Sequence, residues 1–162
     1  MHMGDEELLE LYFRTTLELR DDEGRTWRIS PVSSDERHTD PLEVLSPFTD
    51  AFILTAENPE SSGEYSADQN AAATAELRSI LADSPVTFRD CPGYAWDGDH
   101  VEPGFAILAR EEQAAERQEL AIDLARRFHQ NAIFHLSADG LAIMGALRSE
   151  MRGLRKVICE RA

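Results

Sequence analysis

Apolar positions fall into short runs and stripes whose period changes along the chain, and those changes mark out the elements. Residues 5–13 place acidic side chains first and an apolar face after them, the order of a short helix whose N-terminal dipole favours carboxylates. Alternation at Thr15–Leu19, an acidic turn at Asp21-Asp22-Glu23-Gly24 and alternation again at Thr26–Ile29 predict a β-hairpin. The polar stretch from Pro31 to Pro47 reads as a surface loop. Ala51–Ala56 is a short apolar run closed by Asn58-Pro59, which predicts a buried strand. Ser66 with Gln69 three residues on is a capping box, and Ala73, Leu77, Ile80 and Leu81 then recur on one helix face until Asp83-Ser84-Pro85.

The second half repeats this alternation of short runs and stripes. Pro85–Arg89 reads as a strand, Asp90–Pro103 as a turn-rich loop and Gly104–Ala109 as a second buried strand. Arg110–Phe128 is a helix with Glu111 and Glu112 in its first turn and Arg126 and Arg127 in its last, matching the helix dipole. Asn131–Leu136 is a third strand, and Leu141–Leu147 returns after a turn as its hairpin partner. From residue 51 the order is therefore β-α-β-β-α-β, that of ferredoxin-like folds. The pattern predicts an α+β domain over residues 4–146, a two-layer sheet with helices on one face, preceded by a helix and a β-hairpin.

Beyond it, Leu147, Met151, Leu154 and Ile158 are spaced as one apolar stripe of a helix. Residues 147–162 are thus expected to form a basic amphipathic helix that packs on the acidic body, on a second copy in a homodimer, or on a protein partner.

Charge changes the picture more than size does. The 162 residues carry a formal net charge of -15, and only one of the 16 basic residues is a lysine, Lys156. Residues 147–162 are locally basic, so the acidity lies in the body. Such a surface repels phosphate backbones, and nucleic acid is not an expected partner. A GC-rich genome favours arginine over lysine, whereas adaptation to high intracellular salt explains both the arginine preference and the acidic excess. No apolar run is long enough for a bilayer, and the first residues lack the pattern of a secretory signal. Met1-His2-Met3 reads as an appended leader. With Cys91 and Cys159 read as free thiols, a cytoplasmic location is expected.

Four segments together resemble a known family: Thr55-Ala56-Glu57-Asn58-Pro59, Asn70 near the start of the first long helix, Glu102-Pro103-Gly104-Phe105, and Gln130-Asn131-Ala132-Ile133. Their order and spacing are similar to the bacterial domain-of-unknown-function 3293 family over roughly residues 50–146. The resemblance implies boundaries and a site but no reaction. The family pattern favours an aromatic residue where Glu57 stands and a small hydroxyl where Gly104 stands, so no role that needs the hydroxyl is carried over.

Asn58, Glu102, Gln130 and Asn131 fall at strand ends, with Asn70 near a helix start. Convergence on one rim would set a carboxylate among amides, a donor and acceptor set suited to a polar small molecule. The alternative reading is structural, since Asn before Pro is a common turn residue and Gln or Asn after a helix caps carbonyls. Asp97, Asp99, His100 and Glu102 have the composition of a metal cluster but no zinc or EF-hand spacing, and read as an acidic solvated loop. His129 and His135 have no nucleophile elbow to serve, and phosphate-cradling glycine loops are absent, so neither a metal nor a cofactor is expected. Two functions remain: a non-catalytic module binding a small polar ligand or a protein partner, or a hydrolase or transferase with Glu102 as general base.

Overall fold

In the computed structural model, residues 3–33, 37–61, 64–95 and 100–162 are described. The elements run α1 (Asp5–Tyr12), β1 (Thr16–Arg20), β2 (Thr26–Val32), α2 (Leu42–Leu45), β3 (Asp50–Leu54), α3 (Ala67–Ala82), β4 (Thr87–Asp90), β5 (Gly93–Tyr94), β6 (Val101–Glu102), β7 (Phe105–Ala109), α4 (Ala114–Arg127), β8 (Ala132–Ser137), β9 (Gly140–Gly145) and β10 (Arg152–Arg161). The ten strands form one sheet in the order β4-β7-β3-β8-β9-β10-β2-β1-β5-β6. Every pairing is antiparallel.

Chain connectivity forces this sheet to curl. β4 stands at one end and β5 near the other, yet only Cys91 and Pro92 separate them. So short a connection reaches roughly 10 Å at most. The β4 edge accordingly meets β1: the Glu18 N–H donates to the Pro92 carbonyl at 3.0 Å, and the Arg89 guanidinium donates to the Arg20 carbonyl at 2.8 Å. The result is a curled half-barrel.

The expected two-layer α+β fold with a ferredoxin-like core is therefore incorrect. The sheet does not stop after the four strands from residue 50 but continues through β9 and β10 into the N-terminal hairpin. Nor are helices confined to one face. On the outer face Phe52, Leu54, Phe105, Ile107 and Ile133 pack against Leu77 and Leu81 of α3 and Leu124 and Ala125 of α4. The alternate residues Ala51, Ile53, Ala106 and Leu108 face inward, where they join Leu17, Ile29 and Val157 with Leu8 of α1 and Val44 and Leu45 of α2. The unbroken apolar runs at 51–54 and 105–109 are the sequence signature of strands covered on both faces. Here the second cover is the curl of the sheet itself, with two small helices. The stretch from Pro31 to Pro47 correspondingly contributes the end of β2 and the buried α2.

The C-terminal segment is corrected as well: residues 152–161 are a strand, not a helix. β10 lies inside the sheet, pairing with β9 through Arg152–Arg155 and with β2 through Lys156–Arg161. Val157 and Cys159 alternate inward and are buried. Its basic residues do meet the acidic body, since Arg155 reaches Glu10 of α1 at 3.2 Å. Gly153 admits the close approach of α1, because a Cβ there would come within 2.8 Å of the Phe13 ring and 3.1 Å of Leu9. Gly153→Ala is expected to cost about 1–2 kcal/mol through this crowding, although alanine is no worse than glycine in a strand. A urea midpoint unchanged by the substitution would contradict the tight α1–β10 contact.

Among the described residues, no helix is long and apolar enough to cross a membrane.

Candidate functional site

Residues 55–61, between β3 and α3, are held in a conformation that a free loop would rarely adopt. Asn58 and Glu60 both have positive φ, 48° and 56°. Asparagine tolerates this left-handed region better than most residues, which accounts for its presence at 58. Asn70, in the first turns of α3, fixes it twice: the Asn58 N–H donates to the Asn70 Oδ1 at 2.9 Å, and the Asn70 amide donates to the Asn58 Oδ1 at 3.1 Å. The helix start is itself set by the Ser66–Gln69 capping box. With its own carbonyl engaged, the Asn58 side chain turns its amide toward the Glu102 carboxylate, 3.4 Å away. Asn58, Asn70 and Glu102 are thus one connected set.

Gln130 and Asn131 do different work. Gln130 is 4% exposed and its amide donates to the Glu57 carbonyl at 2.9 Å and to the Phe128 carbonyl at 3.2 Å. It ties the loop to the end of α4. Asn131, 3% exposed, accepts the Ala146 and Arg148 N–H groups at its backbone carbonyl. These contacts anchor the loop and the end of β9, beside the set around Glu102.

Beneath Glu102 lies a cavity of about 140 Å³. Leu17, Ile53, Leu54, Cys91, Phe134 and the Tyr12 ring give it an apolar wall, while Thr15, Thr55, His100 and Glu102 supply polar side chains. Leu17, Leu54 and Phe134 are buried, whereas the side chains of Glu102 and His100 are 26% and 60% exposed, which puts them at the mouth. The His100 Nε2 stands 3.7 Å from the Glu102 Oε2. Burial pushes the Glu102 carboxyl above the ordinary carboxylate range. Hydrogen bonds from Thr55 and Asn58 pull it down, Glu57 pushes it up and His100 pulls it down, and the net direction is upward. The Glu57 carboxylate is itself held by the Thr74 hydroxyl at 3.0 Å.

Residues 54–133 match the family described as "Protein of unknown function (DUF3293)". The DUF3293 segment contains Thr55, Asn58, Asn70, Glu102, Gln130 and Asn131, while Tyr12, Leu17 and Phe134 of the cavity wall lie outside it. No match was found among curated proteins or among solved structures. Gly104, where the family pattern favours a small hydroxyl, has no room for a side chain: a Cβ there would lie 2.7 Å from the Cys91 carbonyl oxygen and 3.2 Å from that of Leu54.

Of the remaining candidates, His129 and His135 do not line the cavity. Asp97 and Asp99 lie outside the described residues, and among the described residues no three His, Cys, Asp or Glu side chains are grouped to hold a metal ion. His135 pairs with Asp50 at 2.7 Å and stacks on Phe52 with centroids 4.4 Å apart. His129, with φ 56°, accepts the Glu60 N–H at its carbonyl. Cys91 does line the cavity, but burial, with smaller contributions from Glu18 and Asp90, pushes its thiol up and away from the nucleophilic thiolate. Sequence reasoning missed the contributions of Tyr12, Leu17 and Phe134. The alternation around Leu17 and Phe134 marks them as core positions and Tyr12 belongs to the apolar face of α1, but only the fold brings them to the cavity of Glu102.

Proposed function

We propose that this chain is a non-catalytic binding module whose small ligand enters the cavity beneath Glu102, with an apolar body inside and a polar head at the carboxyl. One observation carries the reading: a partly buried carboxyl, positioned by the Asn58–Asn70 pair, stands at the mouth of an apolar cavity. Small-molecule sites commonly combine a mainly apolar wall with a few placed polar groups. A cavity of about 150 Å³ admits a molecule the size of benzene.

The upward shift of Glu102 also favours a second reading, in which it acts as a general base in a hydrolase or transferase. The raised Cys91 thiol argues against covalent chemistry in the same cavity. Turnover of ester or amide substrates that Glu102→Gln abolishes, with binding of a substrate analogue retained, would favour the catalytic reading.

Glu102→Gln also tests the electrostatics. A carboxyl whose folded pKa lies above its unfolded one favours folding fully below the unfolded value, 4.5, and loses that contribution as pH rises through the folded value. At pH 7 the charged form is therefore a burden on the fold. Glu102→Gln is expected to gain stability at pH 7 and to lose that gain at pH 4. Denaturant unfolding at both pH values checks this, and a loss of stability at pH 7 would make Glu102 a structural anchor.

A further inference from the structure

We propose that the ligand of this cavity is a small cationic amine with an apolar body of about one ring, its ammonium group at Glu102 and its body against Tyr12 and Phe134. This inference rests on the binding-module reading above and specifies its chemistry. Two observations select a cation, and a third gives its apolar body a surface. The carboxyl at the mouth is the acidic side chain lining the cavity, and among the described residues no arginine or lysine lines it, so an anionic head would meet no counter-charge there. Tyr12 and Phe134 line the same cavity as an edge-to-face pair, with centroids 5.6 Å apart and planes at 79°. Their rings offer the body of the ligand an apolar surface. The net charge of -15 raises the local concentration of cations around the whole molecule.

The fold also leaves the carboxylate with an unfinished balance. Its neighbours are the neutral Thr55 hydroxyl, the neutral Asn58 amide at 3.4 Å and the well-exposed His100 at 3.7 Å, rather than a fixed arginine. Glu57, on the adjacent loop, adds a second carboxylate nearby. Partly buried carboxylates are costly unless paired, and an ammonium group at the mouth adds a full counter-charge through a charge-assisted hydrogen bond.

Titration of the full chain at pH 7 with benzylamine, benzyl alcohol and benzoate, followed by backbone amide NMR shifts, separates the alternatives. The expected result is that benzylamine perturbs the amides of Thr55, Glu102 and Gly104 and binds about tenfold more tightly than benzyl alcohol, the equivalent of one charge-assisted contact. Benzoate should bind more weakly than either. Glu102→Gln should remove the preference for the amine, bringing benzylamine and benzyl alcohol to within about twofold of each other, a difference under 0.5 kcal/mol. Equal or tighter binding of benzyl alcohol or benzoate to the unaltered chain would overturn the cationic class but leave the cavity as a binding site. Failure of all three to shift those amides would overturn the binding reading itself. An amine preference that survives Glu102→Gln would place the cation site elsewhere.

Discussion

Gly140→Ala is expected to lower stability by about 4 kcal/mol, from a strained backbone angle and a direct clash together. Gly140 opens β9 with φ 122°, a region that side chains rarely adopt. A Cβ there would collide with the Arg155 carbonyl of β10 and lie 3.3 Å from the Lys156 Cα. The neighbour is backbone in mid-sheet, so relief requires β10 itself to move. β10 joins β9 to β2, so that movement reaches both halves of the sheet. Chemical denaturation with the midpoint and slope both recorded would check this. A midpoint within error of the unaltered chain would mean that β10 is not seated against Gly140.

Asp21→Asn is expected to cost about 3 kcal/mol at neutral pH and to flatten the acid side of the stability profile. Asp21 is at the turn between β1 and β2, with its side chain 3% exposed. One oxygen accepts the Glu23 and Arg25 N–H groups at 3.0 and 2.9 Å. The other accepts the Arg25 guanidinium at 2.7 Å and the Trp27 indole at 2.9 Å. Burial alone would raise this carboxyl, but the four donors together outweigh it and hold the group far below the ordinary carboxylate range. A depressed carboxyl contributes its stability above the unfolded value, 3.8, and loses it as pH falls below that. Asparagine turns an NH2 group toward donors that need an acceptor. Stability should therefore fall at pH 7, while the loss on acidification below pH 4 should shrink. Identical acid limbs for the two proteins would exclude this role.

The sequence makes the local devices legible and leaves the long-range ones hidden. The Ser66–Gln69 box marks the start of α3, and the acidic turn at 21–24 marks the β1–β2 connection, because each depends on residues only three or four apart. Polar residues interrupting apolar runs draw attention to Asn58 and Glu102, which lie side by side. β10 shows the limit. Leu147, Met151, Leu154 and Ile158 fit a helical period, while only Val157 and Cys159 mark the strand period by which β10 is in fact buried. What decides is the slot between β9 and β2, where Cys159 pairs with Ile29, and no local pattern records that slot. The cavity is hidden for the same reason: Leu17 and Phe134 are far apart in sequence and meet only because the sheet curls.

The position of β10 also dictates when the molecule can be assembled during synthesis. Strand β2 has its hydrogen-bonding neighbours in β1 and in residues 156–161. While the ribosome is still making the middle of the chain, the first hairpin has its β2 side open, and once residues 140–145 are made β9 has an open side as well. A nascent chain therefore carries two unprotected edges, each a template for pairing with another chain, until residues 152–161 emerge and close them together. Loss of residues 152–161 would leave not a shortened protein but two sheet fragments without a seam, a product suited to chaperone capture and proteolysis rather than to binding.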